Sequence, residues 1–215
     1  MKPLNNGFLY KYESKLKKYI VPRLPGFMDT EFLTYMSLVS SFGIFLSYYL
    51  ARDNLYFLFL VCFFIFSQWL TDILDGAVGR YRKQGLVKWG YFMDHLFDYI
   101  FFSACFFGFY FFIDDKKLVL HFLVLFFQSS LFFIITFLNF GAAGKLRISL
   151  SKISISELRL IFIVFNLFLI IFGKETILSE SFFTYLILFL SFVLLAVIIR
   201  CQKKLKKLDL KNKNF

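Results

Sequence analysis

The sequence predicts an all-α integral membrane protein, with six transmembrane helices preceded by an amphipathic helix at the membrane surface. Three observations lead there. Of the 215 residues, 59% are hydrophobic and 35 are phenylalanine, and several apolar runs reach or approach the ~20 residues that span a bilayer. The net charge of +11 lies in the segments between those runs, a pattern that suits anionic headgroups and gives no reason to expect a nucleic acid as partner. The positive charge is also lopsided. Of the 25 Lys and Arg, 21 fall before the first run, at 78–88, at 141–159 and from Arg200 onward, against four (Arg52, Lys116, Lys117, Lys174) in the alternate connections.

Residues 1–31 form the lead-in. Phe8, Leu9, Tyr12, Leu16, Tyr19 and Ile20 recur at helical spacing with Lys11, Lys15, Lys17 and Lys18 among them, the pattern of an interfacial helix. Pro22, Pro25 and Gly26 then break it. The stretch is polar and Lys-rich, so no cleavable leader is expected. The membrane domain, 32–200, carries spans at about 32–51, 55–74, 90–113, 118–140, 158–173 and 181–200. The connections at 52–54, 114–117 and 174–180 are short; those at 75–89 and 141–157 are longer and basic. An even span number with this charge bias puts both termini in the cytoplasm. Residues 201–215 are a basic tail touching anionic headgroups. Cys62, Cys105 and Cys201 have no metal or disulfide spacing and read as free thiols.

The centre of the chain is 72–98, DILDGAVGRYRKQGLVKWGYFMDHLFD. Asp72 and Asp75 are spaced i,i+3 and Asp94 and Asp98 i,i+4, so each pair shares a helix face. A carboxylate at the centre of a span costs about 2.5–3.5 kcal/mol and is a functional candidate by default. The predicted topology puts all four at one level, near the cytoplasmic edge. If the second span continues through Arg80, Gly76 and Gly79 lie about +40° and −20° from Asp72. The acidic face then has no side-chain bulk beside it, and Arg80, a permanent cation suited to phosphate, ends the stripe. Gly90, Asp94 and Asp98 form a second stripe, on which a small residue lets two helices meet. Four converging carboxylates must share protons or bind cations, since two charges 4 Å apart repel by roughly 4 kcal/mol at an effective dielectric of 20. Oxygen-only ligands select hard ions such as Mg²⁺, Mn²⁺ or Ca²⁺. Two such ions would neutralise Asp72, Asp75, Asp94 and Asp98 and clamp a diphosphate. A packing cluster alone would not need four acids, three glycines and an arginine in this order.

These residues read D-x2-D-G-x2-G-R-x9-G-x3-D-x3-D, which resembles the signature of the CDP-alcohol phosphotransferase family. The one departure is Gly79, where the family usually has alanine. The resemblance implies that Asp72, Asp75 and Asp94 are ligands of two Mg²⁺ or Mn²⁺ ions. Asp98 would lie near the metals as the general base on the acceptor hydroxyl, and Gly76, Gly79 and Arg80 would line the CDP pocket. It implies a transferase of phospholipid biosynthesis: an alcohol attacks the β-phosphorus of a CDP-linked donor and CMP leaves. It further implies a homodimer, with lipid entering sideways from the bilayer. The donor may be CDP-diacylglycerol with a soluble alcohol as acceptor, or a CDP-linked head group given to a lipid alcohol. His95, beside Asp94, reads as a packed side chain. Lys145, Arg147 and Arg159 of the 144–159 stretch are candidates for a lipid or substrate phosphate, and Ser154 with Glu157 for a capping box. Two other readings compete: a Mg²⁺-dependent membrane prenyltransferase, and a non-enzymatic divalent-cation transporter.

Overall fold

The computed structural model describes residues 8–113, 115–143, 155–174 and 178–212, and every regular element among them is helical. The helices are α1 Tyr10–Ile20, α2 Thr30–Ala51, α3 Leu58–Tyr81, α4 Val87–Ile113, α5 Val119–Ala143, α6 Ile155–Phe172 and α7 Glu180–Asn212, with short 3-10 turns before α3 and α5. Five stretches among the described residues are long and apolar enough to cross a membrane: Thr30–Ala51, Leu55–Tyr81, Val87–Ile113, Lys116–Asn139 and Glu180–Leu210. The chain is therefore an integral membrane protein by its helices. The sixth expected span, 158–173, coincides with α6, an 18-residue helix that is not among those five. Cys62, Cys105 and Cys201 are all free thiols.

The chain packs as two units, residues 1–114 with 152–174 and residues 115–151 with 175–215. In the first, α2 is partly inverted, burying small polar residues beside Leu33, Ile44 and Tyr48. Thr30, Thr34, Ser37, Ser41 and Ser47 are buried, whereas Val39, Phe42 and Leu46 are 44–66% exposed. Lipid offers no hydrophobic drive between helices, so small and hydroxylated residues turn inward, where they allow close approach and hydrogen-bond across the interface. Ser37 Oγ accepts from Gln68 Nε2 at 3.0 Å, and Ser40 Oγ donates to Ser67 Oγ at 3.1 Å. The Asn166 amide of α6 donates to Tyr48 Oη at 2.9 Å. α6 stops at Gly173, whose φ of +79° and N–H bond to Leu169 O close the last turn, a backbone that glycine adopts without a Cβ penalty.

The lead-in docks through only part of the stripe the sequence emphasised, joined by Glu13. Leu16 and Ile20 pack on Val21, Leu33, Ile73 and Val78. Glu13, 5% exposed, accepts from Trp69 Nε1 at 3.2 Å. Phe8, Tyr12 and Tyr19 instead face outward, 63–74% exposed, where amphipathic rings suit a bilayer interface. Arg82, counted in the sequence only as loop charge, is a clasp. Its Nη1 donates to Gly26 O and Met28 O at 2.9 and 3.1 Å, and its Nη2 to Leu24 O and Pro25 O at 2.9 and 2.8 Å. One planar fork thus satisfies four carbonyls of the turn that leads into α2. Asp29 then caps α2, accepting from Phe32 N–H at 2.8 Å.

In the second unit, Gln128 of α5 donates to Ser191 Oγ of α7 at 2.5 Å, and the Phe122 and Phe183 rings meet at 5.2 Å. α7 runs 33 residues to Asn212, about 50 Å at 1.5 Å per residue against a ~30 Å hydrocarbon core. The first part of the basic tail is therefore helix continuous with the last span.

Candidate active site

α3 runs as helix through Arg80 to Tyr81, which is the condition for the acidic stripe. Asp72 on α3 and Asp98 on α4 come together on one group, the Arg159 guanidinium of α6, with Asp75 and Asp94 one turn away on the same two helices. The sequence pattern thus brings four acids to one place.

Each is held differently. Asp75 is 4% exposed; its Oδ2 accepts from Thr34 Oγ1 at 3.1 Å and its Oδ1 from the N–H of Gly76. One turn earlier, Thr30 Oγ1 bonds Asp75 O at 3.2 Å and Gln84 Oε1 at 2.6 Å. Asp72 and Asp98 share a partner on α6. Arg159 Nη1 donates to Asp72 Oδ2 at 2.8 Å and Nη2 to Asp98 Oδ1 at 2.7 Å, with the guanidinium over the Phe101 ring at 5.2 Å. The arginine side chain is 2% exposed, against 24% for Asp72 and 13% for Asp98. This corrects the reading of Arg159 as one of several basic-loop groups facing a phosphate. It sits inside a helix, and a cation there must find carboxylates. The sequence signal was its place as the fifth residue of α6, just after the acidic first turn and at the head of an apolar run.

The glycines divide by role. At Gly76 a Cβ would meet Arg80 Nη1 at 3.3 Å, so the exposed arginine folds back along the bare stripe and its charge reaches Asp94. At Gly79 a Cβ would come within 2.8 Å of Thr30 Oγ1. What approaches this backbone is α2, and that accounts for glycine where the family has alanine. At Gly90 a Cβ would meet nothing within 4 Å, so helix packing does not explain its missing side chain, contrary to the expectation. His95 is packed as expected: Nδ1–H donates to Tyr91 O at 2.8 Å, and the two rings lie 4.3 Å apart. Thr30, Thr34 and Gln84 escaped the sequence reading because their roles depend on contacts between helices. Lys145, Arg147 and Ser154 lie outside the described residues. Glu157, the other half of the expected capping box, accepts from Leu9 N–H at 3.2 Å.

The donor set is oxygen only, which fits a hard divalent ion in kind. In the arrangement seen, no three His, Cys, Asp or Glu side chains among the described residues are grouped to hold a metal; one oxygen of Asp72 and one of Asp98 are given to Arg159.

Fold and site together define a helical membrane protein with an acidic centre shared by two neighbouring spans. The family model for CDP-alcohol phosphatidyltransferase matches residues 29–199, most of the chain and all four acids, and the protein belongs to that family. It is accordingly a transferase whose family moves a phospho-alcohol unit from a CDP-alcohol and generally uses divalent metals. Neither a curated protein nor a solved structure gives a match.

Proposed function

We propose that this protein is an enzyme of phospholipid biosynthesis. It transfers a phosphatidyl or phospho-head-group unit from a CDP-linked donor to an alcohol, with release of CMP. The observation that supports this most is the convergence of Asp72, Asp75, Asp94 and Asp98 inside a chain of this family.

Asp98 is the base. It takes the acceptor's hydroxyl proton on a carboxylate oxygen. The hydroxyl oxygen forms its bond to the β-phosphorus as the bond from that phosphorus to the CMP oxygen breaks. Asp72, Asp75 and Asp94, with Asp98 beside them, would hold two Mg²⁺ or Mn²⁺ ions, which when bound offset charge on the donor's phosphates and the leaving CMP. Thr34 turns Asp75 toward that position by fixing its Oδ2. Gly76, Gly79 and Arg80 form the wall against the CDP moiety, Arg80 supplying the cation for its phosphates. Six spans, cytoplasmic termini, a cytoplasm-facing site and a homodimer complete the reading.

The test offers a panel of CDP-donors and alcohols, with Mg²⁺ or with a chelator, to the purified protein in nanodiscs, and measures CMP and lipid products. Metal-dependent CMP release that requires an acceptor is expected, and none from Asp98→Asn, which keeps its CDP-donor affinity. A protein that releases no CMP with any pair sinks the proposal, and near-normal turnover of Asp98→Asn removes the base from this account.

A further inference from the structure

We propose that Arg159 is the resident cation of the acidic centre: it holds Asp72 and Asp98 while divalent ions are absent and gives them up when ions bind. The inference rests on the metal-binding reading above, and it concerns what the chain's own arginine does.

Three observations carry it. Arg159 is 1% exposed, and its two ion pairs among the described residues, at 2.8 and 2.7 Å, both go to acids of this centre on two different helices. A buried guanidinium is costly unless paired, and among the described residues this cluster supplies its partners. Second, the pairing leaves the centre open to metal in kind but not in arrangement, with no three metal-ligating side chains grouped among the described residues. The fork directs Asp72 Oδ2 and Asp98 Oδ1 at nitrogen. Third, the charges conflict. Four carboxylates and one guanidinium leave the cluster net negative, so it still attracts cations. Two divalent ions alone neutralise all four acids, and a guanidinium bridging the same carboxylates is then a surplus charge repelled at short range. Arg159 Nε–H is buried with no acceptor among the described residues, so the fork leaves part of the side chain unsatisfied. Arginine and ions are therefore alternative occupants of Asp72 and Asp98.

Competition makes a prediction that a merely structural ion pair does not: removing the arginine tightens metal binding. The full-length protein in nanodiscs is titrated with Mn²⁺, free Mn²⁺ is read by electron paramagnetic resonance, and thermal unfolding is followed with and without Mn²⁺. Charge-assisted bonds of this kind are each strong enough that Arg159→Gln is expected to bind Mn²⁺ about tenfold tighter or more. Its melting temperature is expected to fall in metal-free buffer and to recover toward wild type at saturating Mn²⁺. Arg159→Lys keeps the charge but cannot present a planar fork to two carboxylates. It is expected to tighten Mn²⁺ binding as well, which separates occupancy from a simple change in net charge. Equal or weaker Mn²⁺ binding by Arg159→Gln overturns the inference while leaving the metal reading intact; wild-type protein that binds no Mn²⁺ overturns both. If Arg159→Gln folds neither with nor without Mn²⁺, Arg159→Lys decides by the same criterion of tighter against equal or weaker binding.

Discussion

Gly79→Ala restores the residue usual in the family, and in this chain it is expected to harm. The added methyl would lie 2.8 Å from Thr30 Oγ1 and 3.8 Å from Thr30 Cβ and Cγ2. The hydroxyl has little freedom to retreat, being 3.2 Å from Asp75 O and 2.6 Å from Gln84 Oε1. Alanine gains about 1 kcal/mol over glycine in a helix interior. Against that, forcing a methyl into a packed interface costs typically 1–3 kcal/mol, and displacing the hydroxyl loses about 1 kcal/mol of hydrogen bonding. The net is a loss of about 1–3 kcal/mol. Thr30→Ala alone loses about 1 kcal/mol with its hydrogen bonds. The double variant, with the obstructing oxygen gone, is expected to be more stable than the sum of the singles by about 1 kcal/mol. SDS titration in mixed micelles, followed by the fluorescence of the two tryptophans, measures all three variants. A neutral or stabilising Gly79→Ala, or a strictly additive double variant, would refute the claim that Thr30 is why glycine stands at 79.

Two further outcomes follow from the same kind of reasoning. Arg82→Ala leaves four carbonyls of residues 24–28 without their shared donor; a loss of about 2 kcal/mol is expected for a partly exposed charged donor, along with faster proteolytic cutting of that turn. Arg82→Lys should not restore stability, because one ammonium cannot serve four carbonyls in a plane. His95→Asn should keep CMP release within a few-fold of wild type, since the ring is engaged with Tyr91; a loss comparable to that of Asp98→Asn would move His95 into the chemistry.

The sequence made some features plain because local periodicity carries them. The helices and the pairing of acids on one face of each follow from spacing along single segments, and α3 runs through Arg80 as its stripe requires. What stayed hidden depends on neighbours. Arg159 looked like one more charge on a basic loop, because nothing in a linear string says that α6 turns it into Asp72 and Asp98. Arg82 added to a charge count without revealing its carbonyls. Gly76, Gly79 and Gly90 look equivalent as letters, yet one lies under Arg80, one under Thr30 and one beside open space. The last fifteen residues read as a tail because lysines end an apolar run, whereas the helix persists to Asn212, helix formation being indifferent to where the lipid stops.

The inverted build of α2 changes what variation in it should look like. In a soluble protein the greasy stripe is the one that resists change. Here Val39, Phe42 and Leu46 lie on the exposed side and can trade places with any oily residue of similar bulk, whereas Ser37 and Ser41, both buried, have no room for a leucine and a hydroxyl to lose. A saturation library across this helix should record strict positions at small, water-loving side chains as well as at the enclosed Leu33, Ile44 and Tyr48.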